Sequence, residues 1–296
     1  MTILEILQKA NSESWALGAF NAGNLEILRA IIQAGENLQS PLIVETSSGE
    51  AKHFGMKNFL AVVENFRQET GLPIFTNFDH GKDLEECQMA IEAGYNLIHF
   101  DGSDLPYEEN IKITKILVEQ AHQKGVLVEG EFNKISGESK SYLQETSGIN
   151  GEFELTNPHQ ARDFVVQTGI DILAVSIGNL HGTYLNPIKL DLERLRLVKE
   201  EIEKEGQSIF FSLHGGSGTA EEDIKAAISL GVVKINVNTE LRIAFRQTLE
   251  NVLRGSEELA IYKIMPPVIA AVQKVVEGKI EMFKCSKNPK IFNFNF

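Results

Sequence analysis

Three histidines in this chain share a local pattern. His80, His181 and His214 are each followed at once by glycine, in "DHG", "LHG" and "LHG". Glycine there permits a sharp backbone turn and leaves the imidazole exposed. Three neutral imidazoles suit Zn2+ and leave a coordination position open for a substrate. An open Zn2+ is a Lewis acid that polarises a carbonyl or stabilises an enediolate. Asp79 sits directly before His80. Adjacent strand side chains point to opposite faces, so both can meet a substrate only where the strand breaks, and Gly81 allows that break. A carboxylate close to a metal and a carbonyl is placed for proton transfer. Glu131 closes the run "VEGEF" and reads as a further or alternate ligand, or as a salt-bridged carboxylate. His53, His99, His122 and His159 lack a following glycine and read as structural or surface residues.

Strands must bring these residues together. β-rich runs occur at 17–24, 41–48, 73–80, 96–103, 126–132, 171–179, 208–216 and 232–239. Between several of them lie segments with apolar residues at helical spacing, such as "NLEILRAIIQAGENL" and "YEENIKITKILVEQAHQKG". Gly71, Gly94, Gly125, Gly169 and Gly231 stand where helix C-caps belong. Strands alternating with helices about every 30 residues predict an α/β fold, a (β/α)8 TIM barrel. An open doubly wound sheet is the alternative, but no G-x-G-x-x-G follows the first strand. The chain, 1–296, reads as one barrel domain with few linker-like stretches.

In a barrel the C-terminal strand ends meet in one bowl. Here they also carry Asn21, Glu45, Asp101, Ser103, Asn236 and Thr239. The last two strands lead into "LHGGSG" (213–218) and "INVNTEL" (235–241), whose amides and hydroxyls lie where barrels commonly hold phosphate. The stretch 133–158 is rich in Gly, Ser, Asn and Glu and follows a strand, which predicts a mobile lid on the active-site face. Helices are predicted over about 240–285.

The totals exclude several classes. A net charge of −13 argues against nucleic acid and against an anionic membrane surface. No apolar run is long enough to span a bilayer, and the N-terminus lacks a basic signal-peptide region. Cys87 and Cys285 form no disulfide or metal pattern, so a cytoplasmic location is predicted.

"DHG", "DGSDLPYEENI", "VEGE", "IGNLHGTY", "LHGGSG" and "KINVNTELRIAF" together resemble the class II, metal-dependent ketose-bisphosphate aldolases. The resemblance runs over nearly the whole chain, with the motifs in the family's order and spacing. It implies aldol cleavage of a phosphorylated ketose to dihydroxyacetone phosphate and an aldehyde. It implies that His80, His181 and His214 bind one zinc ion, and that Asp79 takes the C4 hydroxyl proton and returns it in condensation. Glu131 resembles the glutamate that helps a second metal position. Gly182, Gly215, Ser217, Asn238 and Thr239 resemble the phosphate cradle, and Asn236 the contact to the dihydroxyacetone phosphate portion. The resemblance also implies a monovalent cation near the phosphate and a homodimer or homotetramer.

Three positions depart from the family pattern. Asn77 stands where the family has His. The lid reads "SGESK", so Glu138 comes one place before the position of the family's C3 acid, which Ser139 fills. "LAIYKIMPP" puts Tyr262 where the family has an Arg that reaches a neighbour's site and binds the second phosphate. These departures fit an unphosphorylated or different aldehyde half. A non-catalytic barrel that keeps the fold, and an aldolase of a 2-deoxy-5-keto-gluconate phosphate, are the competing readings. Retention of Asp79 weighs against the first, since a binding protein has no use for a general base.

Overall fold

The computed structural model describes residues 1–136, 141–142, 154–184 and 189–285. Eight parallel strands close a barrel: β1 (Leu17–Asn21), β2 (Leu42–Ser47), β3 (Ile74–Gly81), β4 (Leu97–Asp101), β5 (Leu127–Glu131), β7 (Ile172–Ala174), β9 (Phe210–Leu213) and β10 (Val232–Val237). Each falls within a run predicted from sequence, except that β3 extends one residue further, to Gly81. Around the wall the order is β1, β10, β9, β7, β5, β4, β3, β2. A two-stranded ribbon, β6 (Ser141–Tyr142) with β8 (Thr183–Tyr184), lies outside the barrel.

The helices are α1 (Ile3–Glu13), α2 (Leu25–Leu38), α3 (Ser48–Phe54), α4 (Met56–Thr70), α5 (Leu84–Ala93), α6 (Tyr107–His122), α7 (Pro158–Thr168), α8 (Leu192–Glu203), α9 (Glu221–Ser229), α10 (Thr239–Arg254) and α11 (Ile261–Met282). Gly71, Gly94 and Gly169 cap α4, α5 and α7 in the left-handed conformation that only glycine adopts freely. Gly125 comes three residues past α6 and Gly231 two past α9, in turns with the same handedness. Helix α1 was not foreseen. Thr2 and Glu5 form a capping box at its start, and Ile3, Ile6, Leu7 and Ala10 bury one face. At the other end α10 and α11 pack on each other, and α11 lies along α2.

The barrel interior is polar below the mouth. Lys234 is fully buried, and an unpaired ammonium there would cost several kcal/mol. Its Nζ lies 2.9 Å from Glu129 Oε2 and donates to Asn236 Oδ1 at 2.7 Å. Glu129 Oε1 in turn accepts from Ser212 Oγ. This buried layer is the floor on which the mouth residues stand.

Candidate active site

Strand β3 breaks at His80 and not at Gly81. His80 has a φ of 52°, and the β3–β4 register shifts between Phe78 and Gly81. A left-handed non-glycine residue costs of order 1 kcal/mol and clusters at functional sites. Gly81 is required for space instead: a Cβ there would fall 2.4 Å from Cys87 Sγ. The predicted sharp turns do occur at Gly182 and Gly215, with φ of 114° and 74°. The break turns Asp79 and His80 into one cavity of about 370 Å3, as predicted.

The three predicted histidines converge there. Ring centroids are 4.8 Å apart for His80 and His214, 5.2 Å for His80 and His181, and 5.9 Å for His181 and His214. Each uses one nitrogen to fix its orientation. His80 Nδ1 lies 2.9 Å from Asp101 Oδ2, and His214 Nε2 lies 2.9 Å from Glu129 Oε1. His181 follows β7 by seven residues, so a loop and not a strand carries it. Its amide donates to Ser136 O, and its Nδ1 donates to Ile135 O at 3.2 Å. His181 Nε2 and His214 Nδ1 are buried without a partner.

Electrostatics keep two of these rings neutral. Burial, with the charge of His80 nearby, lowers His181 to about 4. Burial lowers His214 to about 3, against the pull of Glu129. His80 is raised, because Asp79 and the Asp101 hydrogen bond outweigh its burial. Neutral imidazoles with free inward nitrogens are metal ligands in waiting. His80 and His214 share one metal-capable group with Asp79 and His99, His181 stands outside it, and these nitrogen-rich donors suit a borderline-soft divalent ion such as zinc.

Asp79 is held by carboxamides on both oxygens. Asn21 Nδ2 donates to Oδ2 and Asn236 Nδ2 to Oδ1, each at 3.1 Å. Burial pushes its pKa up, but the charge of His80 and the His99 hydrogen bond outweigh that and hold it well below the ordinary range. Asn236 also donates to Glu45 Oε1, whose pKa burial and Asp79 push up to about 8. Asn77, in the position of the family His, donates to Glu45 Oε2 at 2.8 Å.

Residues predicted for phosphate binding line the same cavity: Gly182, Gly215, Ser217, Asn236, Asn238 and Thr239. A Cβ at Gly215 would lie 2.2 Å from Leu180 O, so the loop behind β9 packs backbone to backbone on the loop that carries His181. Ser217 Oγ accepts the Glu240 amide, and Lys279 of α11 bonds both Gly216 O and Glu240. The C-terminal helices thus brace the glycine-rich loop.

Glu131 lies beneath the mouth, 1% exposed, and is not on the cavity wall. Burial and the Asp101 charge raise its pKa. Its carboxylate, with His80 and Asp101, forms a group whose ligand atoms lie within 4.8 Å of one another. Glu138 falls outside the described residues, as does most of the predicted lid. Tyr262, at the start of α11, is 77% exposed, and Lys263 beside it pairs with Glu258 at 2.9 Å.

His99, read from sequence as structural or surface, is an interior residue of the site. It is fully buried against the candidate ligands, with its Nδ1 3.2 Å from the His80 amide and 3.5 Å from Asp79 Oδ1. Together with Asp79, His80 and His214 it forms a second group able to hold a metal. Strand parity carries the missing signal. Asn77 and Asp79, His99 and Asp101, Glu129 and Glu131, and Lys234 and Asn236 are i, i+2 pairs, so each pair points to one face. Ser47 and Arg242, which also line the cavity, were not singled out.

Comparison with known proteins agrees with this geometry. The family model described as fructose-bisphosphate aldolase class-II matches residues 1–288. The chain belongs to the class II fructose-bisphosphate aldolase family. It is 40% identical over 295 residues to a fructose-bisphosphate aldolase of Streptococcus pneumoniae, covering 94% of this chain and 96% of that one. The crystal structure of the YdjI aldolase from Escherichia coli K12 superposes with a TM-score of 0.79 at 30% identity, over 97% of this chain and 98% of that one. A putative fructose-1,6-biphosphate aldolase from Coccidioides immitis gives a TM-score of 0.81 at 28% identity, over 98% of each chain. As a class II aldolase this enzyme is a lyase that cleaves a phosphorylated ketose at a carbon–carbon bond. Among the described residues of this aldolase, no helix is long and apolar enough to cross a membrane.

Proposed function

We propose that this aldolase holds one Zn2+ per chain through His80 Nε2, His181 Nε2 and His214 Nδ1. The observation that supports it most is the pair of buried nitrogens without a partner, His181 Nε2 and His214 Nδ1. Leaving each unsatisfied costs about 1–3 kcal/mol, and a cation between them removes both costs. The chemistry zinc supplies there is Lewis-acid polarisation of the substrate carbonyl.

The chain's own residues do the rest. Asp79 takes the proton from the C4 hydroxyl in cleavage and returns it in condensation, with Asn21 and Asn236 fixing its two oxygens. Gly182, Gly215, Ser217, Asn238 and Thr239 hold the phosphate of the ketone half, aided by the N-terminus of α10. Asn236 contacts the dihydroxyacetone phosphate portion. Glu131 serves a second metal position, and Glu138 on the lid returns a proton to C3. A monovalent cation sits beside the phosphate. The enzyme is a cytoplasmic homodimer or homotetramer, and Tyr262 does not replace the charge of the family arginine at the second phosphate.

The test is metal analysis beside a coupled assay for dihydroxyacetone phosphate release. Purified enzyme carries about one zinc per chain. His214→Ala loses zinc and activity together. Full zinc occupancy in that variant overturns the ligand set.

A further inference from the structure

Two lines of polar contacts start from one buried ammonium. Lys234, on β10, is fully buried and is not on the cavity wall. It stands two residues before Asn236 on the same strand, so it shares the inward face and lies one step deeper. Burial lowers its pKa, but Glu129, Glu45 and Asp79 outweigh that and keep it charged. The first line runs to the metal seat. Nζ lies 2.9 Å from Glu129 Oε2, on β5. Glu129 Oε1 accepts from Ser212 Oγ at 2.5 Å and lies 2.9 Å from His214 Nε2. One carboxylate oxygen faces the ammonium and the other accepts a hydroxyl, so Glu129 has no proton to give. The hydrogen of His214 therefore sits on Nε2. That leaves the lone pair on Nδ1, the buried nitrogen without a partner.

The second line runs to the base. Nζ donates to Asn236 Oδ1 at 2.7 Å. An amide whose oxygen is held this way presents its NH2 on the other side. Asn236 Nδ2 donates there to Asp79 Oδ1 at 3.1 Å and to Glu45 Oε1 at 2.9 Å. Turned over, Asn236 would aim its oxygen at two carboxyl oxygens and its NH2 at the ammonium. Lys234 thus decides which end of Asn236 meets Asp79. Stability is a weaker reason for this arrangement, because a buried ion pair is often no more stable than apolar residues of the same volume.

We propose that Lys234 is a positioning residue shared by both halves of the site: through Glu129 it turns the lone pair of His214 toward the metal seat, and through Asn236 it aims Asp79. This rests on the zinc and Asp79 assignments above and adds the residue that keeps the two in register.

The experiment uses Lys234→Met, which is close in length and uncharged. A second variant combines it with Glu129→Gln, so that neither charge of the pair remains buried alone; it decides the matter if the single variant does not fold. Circular dichroism checks the barrel, and titration against a chelator gives the zinc affinity. Cleavage of the ketose and exchange of the C3 proton of dihydroxyacetone phosphate are then measured at saturating zinc. Both variants are expected to bind zinc about tenfold or more weakly. With zinc saturating, exchange returns to near the wild-type rate, since it draws on the metal and not on Asp79. Cleavage stays about tenfold or more down. A merely structural loosening lowers both reactions alike and keeps their ratio at the wild-type value, and that result overturns the proposal. Zinc affinity equal to wild type overturns it too, as does full recovery of cleavage on adding zinc. Wild type tests the underlying reading separately. Neither zinc binding nor proton exchange there would reject the zinc and base assignments themselves, whereas wild type with both and variants with an unchanged ratio reject only the part given to Lys234.

Discussion

Asp79 is a buried carboxylate that stays ionised. Desolvation alone would raise its pKa, but the histidines around it dominate. An ionised acid with both oxygens held by Asn21 and Asn236 suits the proposed role of Asp79 in proton transfer. Asp79→Ala is therefore expected to keep zinc and fold while cleavage falls by about 10²–10⁴. Exchange of the C3 proton survives, since that step draws on a different base. Proton exchange by NMR, set beside the coupled cleavage assay, separates the two. Cleavage near the wild-type rate would make Asp79 structural.

At the scale of elements, the site depends on two loops meeting. Gly215 follows His214, and Leu180 precedes His181. Their backbones touch so closely that a Cβ on residue 215 has no room, and its φ of 74° is left-handed besides. Gly215→Ala must push the loops apart and carry one or both histidines with it. The variant alters no ligand, yet its zinc affinity is expected to fall by about tenfold or more. Competition with a chelator measures it, and circular dichroism checks that the barrel persists. Zinc retention equal to wild type would show that the histidines are held independently of this contact. Lys279 on α11 ties the same loop from outside, which gives the C-terminal helices a part in the site although no residue of α11 lines the cavity.

For the whole molecule, the proposed zinc ties the site to stability. Three histidines from three barrel segments, with Asp79, Asp101 and Glu131 packed among them, form a site that the unfolded chain lacks. Zinc at a thousandfold excess over its dissociation constant stabilises the native state by about 4 kcal/mol. Spread over the unfolding entropy of a chain this size, that is roughly 7 °C in Tm. Calorimetry with and without chelator is expected to show a shift of that order that grows with free zinc. Identical Tm values would mean that the folded protein binds zinc no better than the unfolded one.

Much of this protein is written locally. The strands, most of the helices and the glycine caps follow from hydrophobic period and turn chemistry, which involve residues close in sequence. The three His-Gly pairs and Asp79 were legible for the same reason, as was the pattern of motifs that marks the family. Other features depend on what the barrel brings across its axis. Leaving the β3 break to His80 required Cys87 behind Gly81. His99 was visible as an inward residue by parity, but its neighbours Asp79 and Glu131 come from the strands on either side. Glu129 and Lys234 lie on β5 and β10, and neither has its partner until the barrel closes. Local patterns decide which elements form. The closing of the sheet decides which side chains share a low-dielectric space, and so their charges, their partners and the substrate they admit.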